Sequence, residues 1–291
     1  IYRNEESTSL PQAAQNWTWT FDPSNFAGSG EPLESDRPDR TRTTAIEYQQ
    51  QGSCDRVYMT AANEDTGLEG GVFYSDDTGQ NWTIDDYNTA GLLKMPVNTL
   101  WTSQYTVWIG VGDKSVETPR SSDTGIKARL SLCSGSSFWT PSCSSNPVTT
   151  QMQSEIIVAI DGVSISGDHT VYIASQDTIY QGLLPSGTSG SGFCDWGFTI
   201  VTPPTGRAFT SVAVDTADAD HVWASFGNCI QESTDGGLNW ADYSDSCEPE
   251  HEFIRKLVFD DLLVGTQDGL FAYAAPEPSA AVLGWAALGT L

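Results

Sequence analysis

The chain has 291 residues, and its 38 acidic and 13 basic residues give a formal net charge of −25 at pH 7. A surface of this sign repels nucleic acid and anionic lipid, so we expect no nucleic-acid partner. The six cysteines lack a CxxC spacing and the three histidines lie far apart in sequence, so the composition does not indicate a zinc site.

One strand phrase recurs along the chain, each time with a polar start, an apolar or aromatic centre and small residues at the end. Its five copies lie at residues 55–61, 105–111, 169–175, 220–226 and 261–266. This composition is typical of an inner strand that is pressed between neighbouring sheets. A short apolar run precedes each copy, another follows it, and in four units a further strand begins at an aromatic residue.

Each unit therefore has four strands within roughly 40 to 60 residues, a spacing that suits the blades of a β-propeller. No segment has a helical period long enough to favour an α/β fold. We predict an all-β propeller of four-stranded antiparallel blades over residues 1–275, with the recurring strands near the central axis. Five units and a half unit are recognisable, and we expect an intact ring of about five to seven blades.

The two ends of this region differ from the complete units. Residues 1–4 resemble a third strand and residues 16–19 an outermost strand, so residues 1–22 are interpreted as the second half of a blade. The last unit, residues 252–275, has three predicted strands and no outer one. A strand donated from the other end would remove the free sheet edge, and residues 16–20 are the predicted donor.

Two segments carry the pattern Ser-x-Asp-x-Gly-x-x-Trp. The shared positions are Ser75, Asp77, Gly79 and Trp82 in the first segment, and Ser233, Asp235, Gly237 and Trp240 in the second. In such a turn the Asp side chain bonds nearby backbone amides, the Gly accepts a positive φ, and the Trp starts the next strand. A degenerate third copy keeps Ser131, Gly135 and Phe138 but has Cys133 in place of the Asp.

This pattern resembles the Asp-box, or BNR repeat, of β-propellers, a superfamily that includes sialidases and photosystem II assembly factors. The resemblance implies that the box residues are structural, because these turns lie at the periphery of the ring and away from its central mouth. We expect Asp77 and Asp235 to accept backbone hydrogen bonds, and the tryptophan rings to be largely buried. An assembly-factor role would require a basic contact face, which this acidic chain lacks.

Residues 276–291 form a different kind of segment. A Pro-Glu-Pro-Ser tetrapeptide at residues 276–279 is followed by twelve mostly apolar residues. This order resembles the start of a PEP-CTERM sorting signal, which implies export and display at the surface, or in the extracellular matrix, of a Gram-negative bacterium. A membrane-spanning helix needs roughly 20 residues, so the signal would be truncated; the alternative is a disordered tail with an amphipathic end.

The cysteines are interpreted as disulfide partners, because an even number without metal spacing is typical of an oxidising compartment. Closeness in sequence predicts the pairs Cys133–Cys143 and Cys229–Cys247, each joining the third strand of a unit to the end of its outer strand. The pair Cys54–Cys194 would then form by default. Six cysteines are compatible with many other connectivities, so the pairing stays open at this point.

The acidic surface is interpreted mainly as a source of solubility in a salty medium. The alternative is Ca²⁺ binding by acidic loops, since hard cations take carboxylate and carbonyl oxygens. The candidate stretches are residues 85–87, 215–220 and 242–250, none of which has EF-hand spacing. No other cofactor is expected.

An enzyme is one alternative, because Asp-boxes occur in sialidases and some other glycosidases. The sialidase resemblance would imply three arginines, a Tyr/Glu pair and an acidic Asp, but the early Arg-Ile-Pro phrase of that family is missing. A glycosidase with paired carboxylates at the central mouth is the other enzymatic alternative, and the sequence nominates no pair. We therefore expect a monomeric binding or scaffold module, with carbohydrate or an extracellular protein as its ligand and membrane contact only through residues 276–291.

Five aromatic residues in or beside the strands have two interpretations. They are Tyr58, Trp101, Trp108, Tyr172 and Trp223. They are either exposed platforms for sugars or part of the core between blades, and the core interpretation is favoured. An aromatic mouth would favour binding, whereas clustered arginines or two facing carboxylates would favour hydrolysis.

Overall fold

The described part of the chain is mostly β-structure. The computed structural model describes residues 2–4, 17–19, 41–51, 54–63, 70–85, 97–103, 106–112, 124–130, 140–141, 147–184, 196–203, 206, 208–243, 254–258, 263–266 and 270–272. The first strands, β1 (Tyr2–Asn4) and β2 (Trp17–Trp19), pair with each other in a two-stranded antiparallel sheet.

Five larger sheets follow in chain order. Sheet 1 contains β3 (Thr41–Gln51), β4 (Cys54–Asn63), β5 (Gly70–Ser75) and β6 (Thr83–Ile84). Sheet 2 contains β7 (Val97–Thr102), β8 (Thr106–Val111), β9 (Gly125–Leu130) and β10 (Thr140–Pro141). Sheet 3 contains β11 (Ile157–Ile165), β12 (Asp168–Ser175), β13 (Ile179–Leu184) and β14 (Gly197–Ile200). Sheet 4 contains β15 (Phe209–Val214), β16 (Val222–Phe226), β17 (Cys229–Ser233) and β18 (Ala241–Asp242). Sheet 5 contains β19 (Ile254–Val258), β20 (Leu263–Thr266) and β21 (Leu270–Ala272).

Within each sheet the strands lie in chain order and every neighbouring pair is antiparallel. The predicted fold class is confirmed: the chain is an all-β propeller of four-stranded antiparallel blades, with five units and a half unit. The outer strands β6, β14 and β18 begin directly after Trp82, Trp196 and Trp240, as the aromatic positions predicted.

The predicted strand exchange is wrong for the described strands. Residues 16–20 were expected to extend the last sheet, but β2 pairs with β1 and sheet 5 contains β19, β20 and β21. The β1–β2 partner is close in sequence, so closing that hairpin requires far less loop-closure entropy than pairing with a strand more than two hundred residues away.

The sheets converge on their first strands. β3 contacts β7, β7 contacts β11, β11 contacts β15, and β15 contacts β19. The fourth strands make their principal contacts within their own sheets, so the blades splay outward from the first strands. The first strands therefore line the axis, while the recurring phrase forms the second strand of each sheet.

The position of the recurring phrase differs by one strand from the prediction, and burial explains the difference. Every residue of β8 and β16 is buried, because a second strand has a neighbour on each side within its sheet and a packed sheet on each face. A first strand has a free edge, and β11 accordingly mixes buried and partly exposed positions. The most uniformly apolar strand is thus adjacent to the axis-lining strand.

Side chains from one sheet satisfy the backbone of the next first strand. These cross-sheet bonds are Thr44 Oγ1 to Val97 O (2.6 Å), Gln49 Nε2 to Ser103 O (2.6 Å), Asn98 Nδ2 to Ile157 O (3.0 Å), Trp101 Nε1 to Gly162 O (3.1 Å), Ile160 N to Thr99 Oγ1 (3.2 Å), Val214 N to Asp161 Oδ2 (2.9 Å) and Leu257 N to Ser211 Oγ (3.0 Å). They occupy backbone groups that an edge strand would otherwise leave open. The five sheets are therefore joined near the axis by hydrogen bonds as well as by apolar packing.

All five first strands contain a one-residue register shift at an equivalent position. The shifts lie at Thr44, Asn98, Val158, Thr210 and Arg255. A bulge bends its strand and increases the local twist. Its recurrence indicates that the bend belongs to the repeating unit.

Among the described residues the core consists of four hydrophobic clusters, one at each interface between consecutive sheets. Gly110 of β8 shows how closely the sheets approach, since a Cβ there would lie 2.4 Å from Ile157 Cγ2 of β11. No larger residue fits at this position without moving one sheet away from the other.

One short helix, α1 (Pro147–Gln153), lies between β10 and β11 and was not predicted. Its Met152 is buried in the cluster between sheets 2 and 3, and the helix contacts β9 and β14. At seven residues it is too short to give a periodic sequence signal. Among the described residues, no helix has the length and apolar character needed to cross a membrane.

Candidate functional site at the propeller axis

The five aromatic residues proposed as core or sugar platforms belong to the core. Their exposed fractions are 0% for Tyr58, Trp108 and Tyr172, 4% for Trp223 and 5% for Trp101. Trp108 packs edge-on against Trp196 of the next sheet, with ring centroids 4.8 Å apart. These rings hold sheets together and are closed to a ligand.

The turns at residues 75–82 and 233–240 have the same hydrogen bonds. In the first, Gly79 N donates to Ser75 Oγ (2.8 Å), and Gln80 N and Asn81 N donate to Asp77 Oδ1 (2.9 and 2.8 Å). Asn81 Nδ2 also donates to Asp77 Oδ2 (2.6 Å). The carboxylate therefore organises its own turn.

The second turn repeats the main bonds of this arrangement. Gly237 N donates to Ser233 Oγ (2.8 Å), and the backbone and side chain of Asn239 donate to the two oxygens of Asp235 (2.8 and 2.7 Å). Trp240 Nε1 donates to Val201 O of sheet 3 at 2.8 Å, which joins the turn to the neighbouring blade. These contacts give the turn a structural role.

The tryptophan side chains of the two turns agree with the expected burial. Only a minor part of Trp82 and of Trp240 is exposed. The turns lie at the outer ends of their sheets, where a neighbouring blade covers only part of each ring. The bonds to Asn81 and Ser75 lower the pKa of Asp77 to about 2, and the bonds to Asn239 and Ser233 lower the pKa of Asp235.

The degenerate third copy, Ser131, Gly135 and Phe138, lies outside the described residues. So do Cys133, Cys143, Cys194 and Cys247. Cys229 is disulfide-bonded, and its partner is not among the described side chains. The pairings Cys133–Cys143 and Cys229–Cys247 stay predictions.

Arg56 is the only arginine whose side chain is described, and it lies beside the first turn. Its Nε and Nη2 donate to the two oxygens of Asp76 (2.6 and 2.9 Å), and its guanidinium lies 4.2 Å from the centroid of the Tyr74 ring. Burial lowers the pKa of Arg56, but the hydrogen bonds to Asp76 and Tyr58 raise it further above its usual range. The guanidinium of Arg56 therefore has a structural role.

The acidic stretches proposed for Ca²⁺ show no arrangement for a metal within the described part of the chain. Asp215 accepts a hydrogen bond from Ala217 N (2.6 Å), and its other oxygen lies 3.5 Å from Nδ1 of His221. The second ring nitrogen of His221 is 2.6 Å from Glu232 Oε1. These carboxylates are therefore engaged by neighbouring protein groups.

A mixed-charge cluster lies on the axis-lining strands. It consists of Glu47 on β3, Asp161 on β11 and Lys256 on β19, which come from sheets 1, 3 and 5. Glu47 interacts electrostatically with both other residues, and Asp161 interacts with Lys256. We call these three residues the axial cluster.

Asp161 is held in a defined orientation. Its Oδ1 accepts a hydrogen bond from Gly162 N and its Oδ2 accepts one from Val214 N of sheet 4, both at 2.9 Å. Glu47 lies directly opposite Tyr58 in the β3–β4 register and is partly buried, while Lys256 is exposed. The axial cluster therefore combines one fixed carboxylate, one partly accessible carboxyl group and one exposed ammonium.

Burial raises the pKa of Glu47 to about 7; the charge of Lys256 opposes this rise and that of Asp161 adds to it. Burial also raises the pKa of Asp161, against the opposing effects of Lys256 and of the two backbone donors. Near neutral pH the Glu47 carboxyl group is therefore partly protonated, and in that form it donates as well as accepts hydrogen bonds.

The three residues of the axial cluster were not predicted as site residues. An apolar run precedes each copy of the recurring phrase, and each member of the axial cluster lies in or directly beside such a run. The only sequence feature that marks these residues is a charged side chain in a strand that lines the axis. The sequence does not show that the strand before the recurring phrase is the innermost one, so this feature does not separate Glu47 and Asp161 from the other acidic residues.

No protein-family model matches the chain, and no curated protein matches it. Similar solved structures include YCF48 bound to D1 peptide, at 16% identity over 81% of this chain and 79% of that chain, with a TM-score of 0.47. Another is the extracellular domain of a one-component system from B. thetaiotaomicron, at 13% identity over 77% of this chain and 26% of that chain, with a TM-score of 0.48.

A Trypanosoma rangeli sialidase mutant with trans-sialidase activity is similar at 14% identity over 76% of this chain and 42% of that chain, with a TM-score of 0.41. This chain thus spans less than half the length of the sialidase and about a quarter of the extracellular domain. The similarities concern the overall fold, and the identification of the chain as an all-β propeller rests on its own radially packed antiparallel sheets.

Proposed function

We propose that this chain is an exported β-propeller, held at the cell surface or in the extracellular matrix, that acts as a binding or scaffold module. Its ligand is carbohydrate or an extracellular protein, and the chain acts as a monomer. Export is supported by the even number of cysteines, by the disulfide at Cys229 and by the resemblance of residues 276–291 to a PEP-CTERM signal.

The observation that carries the binding role is the axial cluster. Three sheets contribute one polar side chain each, and cross-sheet hydrogen bonds hold the first strands that carry them. A framework ordered before binding loses little conformational entropy when a ligand arrives. The aromatic residues that would have suggested other platforms are buried.

A sialidase-type site receives no support from the described residues. Such a site would require several arginines around the substrate carboxylate, and the one arginine side chain described, Arg56, is bound to Asp76 near a peripheral turn. The net charge of −25 also disfavours an anionic substrate.

A glycosidase acting on a neutral glycan is the second candidate, and one observation favours it. Glu47 has a raised pKa of about 7 beside the second carboxyl group, Asp161. A pair of carboxyl groups is the minimum equipment of many glycosidases, one acting as general acid and the other as nucleophile or base.

One experiment separates the two candidates. The purified, oxidised chain is incubated with the exopolysaccharide and surface-protein fractions of a Gram-negative host, and both retention and release of reducing ends are measured. If the chain is a binding module, we expect saturable retention of a surface component without release of reducing ends. Turnover that E47Q abolishes would establish the glycosidase instead, while neither retention nor turnover would remove both.

A further inference from the structure

We propose that Glu47, Asp161 and Lys256 form one binding site on the propeller axis for a neutral, hydroxyl-rich ligand, that is, a neutral oligosaccharide. This inference rests on the proposed binding function and assigns to it a site and a ligand class.

The geometry of the axial cluster is that of a site assembled by the fold. Its members are separated by more than ninety positions in sequence and meet only because β3, β11 and β19 all line the axis. Asp161 is oriented by two backbone N–H donors from different sheets. The Glu47 carboxyl has no hydrogen bond to any other described residue, although it is partly buried.

The charges of the cluster select the class of ligand. When Glu47 is protonated and Asp161 is ionised, the Asp161 carboxylate balances the ammonium of Lys256, so the cluster is neutral overall. An anion would be repelled by a chain of net charge −25, and for a cation the charge of Lys256 would offset the attraction of the carboxyl groups. A neutral ligand incurs neither penalty.

Hydroxyl groups match the hydrogen-bonding capacity of the cluster. A hydroxyl both donates and accepts, so vicinal hydroxyls can bond a carboxylate, a protonated carboxyl and an ammonium at the same time. Asp161 accepts, Lys256 donates, and Glu47 donates when protonated. Hydrogen bonds to charged groups are roughly twice as strong as those between neutral groups, which compensates for the lack of an exposed ring among the five buried aromatics.

The groups that face Glu47 are identifiable. β4 places Tyr58 directly opposite it, β11 contributes Asp161, β19 contributes Lys256, and β7 contains no titratable residue. Because the pKa of Glu47 is about 7, a ligand that accepts a hydrogen bond from its protonated form binds more weakly as pH rises through neutrality. The fraction of protein with protonated Glu47 falls about tenfold between pH 6 and pH 8, and affinity falls with it.

Calorimetric titration of the full, oxidised chain with laminarihexaose and cellohexaose, at pH 6, 7 and 8, tests the site. We expect wild type to bind at least one probe, about tenfold more weakly at pH 8 than at pH 6. E47Q keeps a hydrogen-bond donor but cannot titrate, so it should bind at pH 6 within about threefold of wild type and lose the pH dependence. K256M should weaken binding at both ends of the pH range.

Asp242 provides a matched control, because D242N removes a carboxylate on the exposed outer strand β18. It should leave affinity and pH dependence unchanged. D161N tests the third member, and K256M, which alters an exposed side chain, keeps the proposal testable if D161N fails to fold.

The inference is overturned if neither probe binds wild type, if E47Q retains the full pH dependence, or if K256M binds as wild type does. Retention on the host surface fraction is measured in parallel. Retention on the surface fraction without binding of either probe would contradict the neutral-oligosaccharide ligand alone. Absence of both retention and probe binding would also contradict the proposed binding function.

Discussion

Asp77 and Glu47 are both carboxylic acids, yet their surroundings move their pKa values in opposite directions. Asp77 accepts hydrogen bonds from Ser75, Gln80 and Asn81 in an open turn, which favours the charged form. Glu47 is partly buried in a first strand, where desolvation disfavours the charged form. Each pKa shift predicts how the stability of the folded chain changes with pH.

For Asp77, the folded-state pKa of about 2 lies below the unfolded value near 4. The associated stability is present above about pH 4 and is lost as pH falls toward 2, because the unfolded state binds the proton more tightly. D77A should remove about 1 kcal/mol at neutral pH, since solvent screens this exposed group. Thermal midpoints between pH 2 and pH 7 measure the effect, and a variant with the wild-type acid limb would contradict it.

For Glu47 the sign is reversed. Its folded-state pKa of about 7 exceeds the ordinary glutamate value of 4.5, so stability is highest below about pH 4.5 and declines as pH rises through 7. E47Q should abolish this decline and be more stable than wild type at pH 8 by about 2 kcal/mol. Denaturant unfolding at pH 5 and pH 8 checks this, with D242N as control; an unchanged pH slope in E47Q would refute the assignment.

At the scale of elements, the close approach of β8 and β11 dictates a small residue at their contact. A Cβ on Gly110 would meet Ile157 Cγ2 at 2.4 Å and Thr99 Cγ2 at 2.6 Å. Both neighbours belong to packed first strands, so neither can retreat without disturbing the hydrogen bond from Ile160 N to Thr99 Oγ1.

Gly110→Ala should therefore destabilise the chain by about 1–3 kcal/mol through overpacking. Gly197→Ala on the outer strand β14 is the matched control, since its Cβ would come no closer than 3.9 Å to the Leu183 carbonyl oxygen. Equal unfolding midpoints for the two variants would show that sheets 2 and 3 pack less tightly than described.

At the scale of the whole molecule, each predicted disulfide ties the third strand of one unit to the end of the outer strand of the same unit. Cys133–Cys143 and Cys229–Cys247 close short loops, and each should contribute roughly 2–4 kcal/mol. Peptide mapping under non-reducing conditions should recover both linked pairs, and reduction should lower the thermal midpoint. Recovery of Cys229 linked to any other cysteine would contradict the pairing.

A separate prediction concerns the contribution of residues 276–291 to the stability of the chain. If it is a sorting segment, it contributes nothing to the propeller core. A chain ending at residue 275 should keep the thermal midpoint of the full chain within about 2 °C, because no packed surface is lost. A large decrease would show that Val282, Leu283 or Trp285 is part of the core.

The sequence by itself determined the repeating unit. The unit is defined by local features, which are the recurring strand phrase, the turn residues Asp77 and Gly79, and the tryptophans that precede β6, β14 and β18. Each of these features determines the structure of residues only a few positions away. Periodicity and turn chemistry depend on neighbouring residues, so they can be recognised in the sequence without knowing which distant segment packs against them.

The tertiary structure decided which strand lines the axis, which aromatics are closed to ligands, and which charged residues meet. Glu47, Asp161 and Lys256 are neighbours only through the radial packing of sheets 1, 3 and 5, and no pattern along the chain encodes that proximity. The raised pKa values of Glu47 and Asp161 likewise arise from burial, which depends on the packing of distant strands. The candidate site is thus a property of the assembled ring, whereas the blade is a property of the sequence.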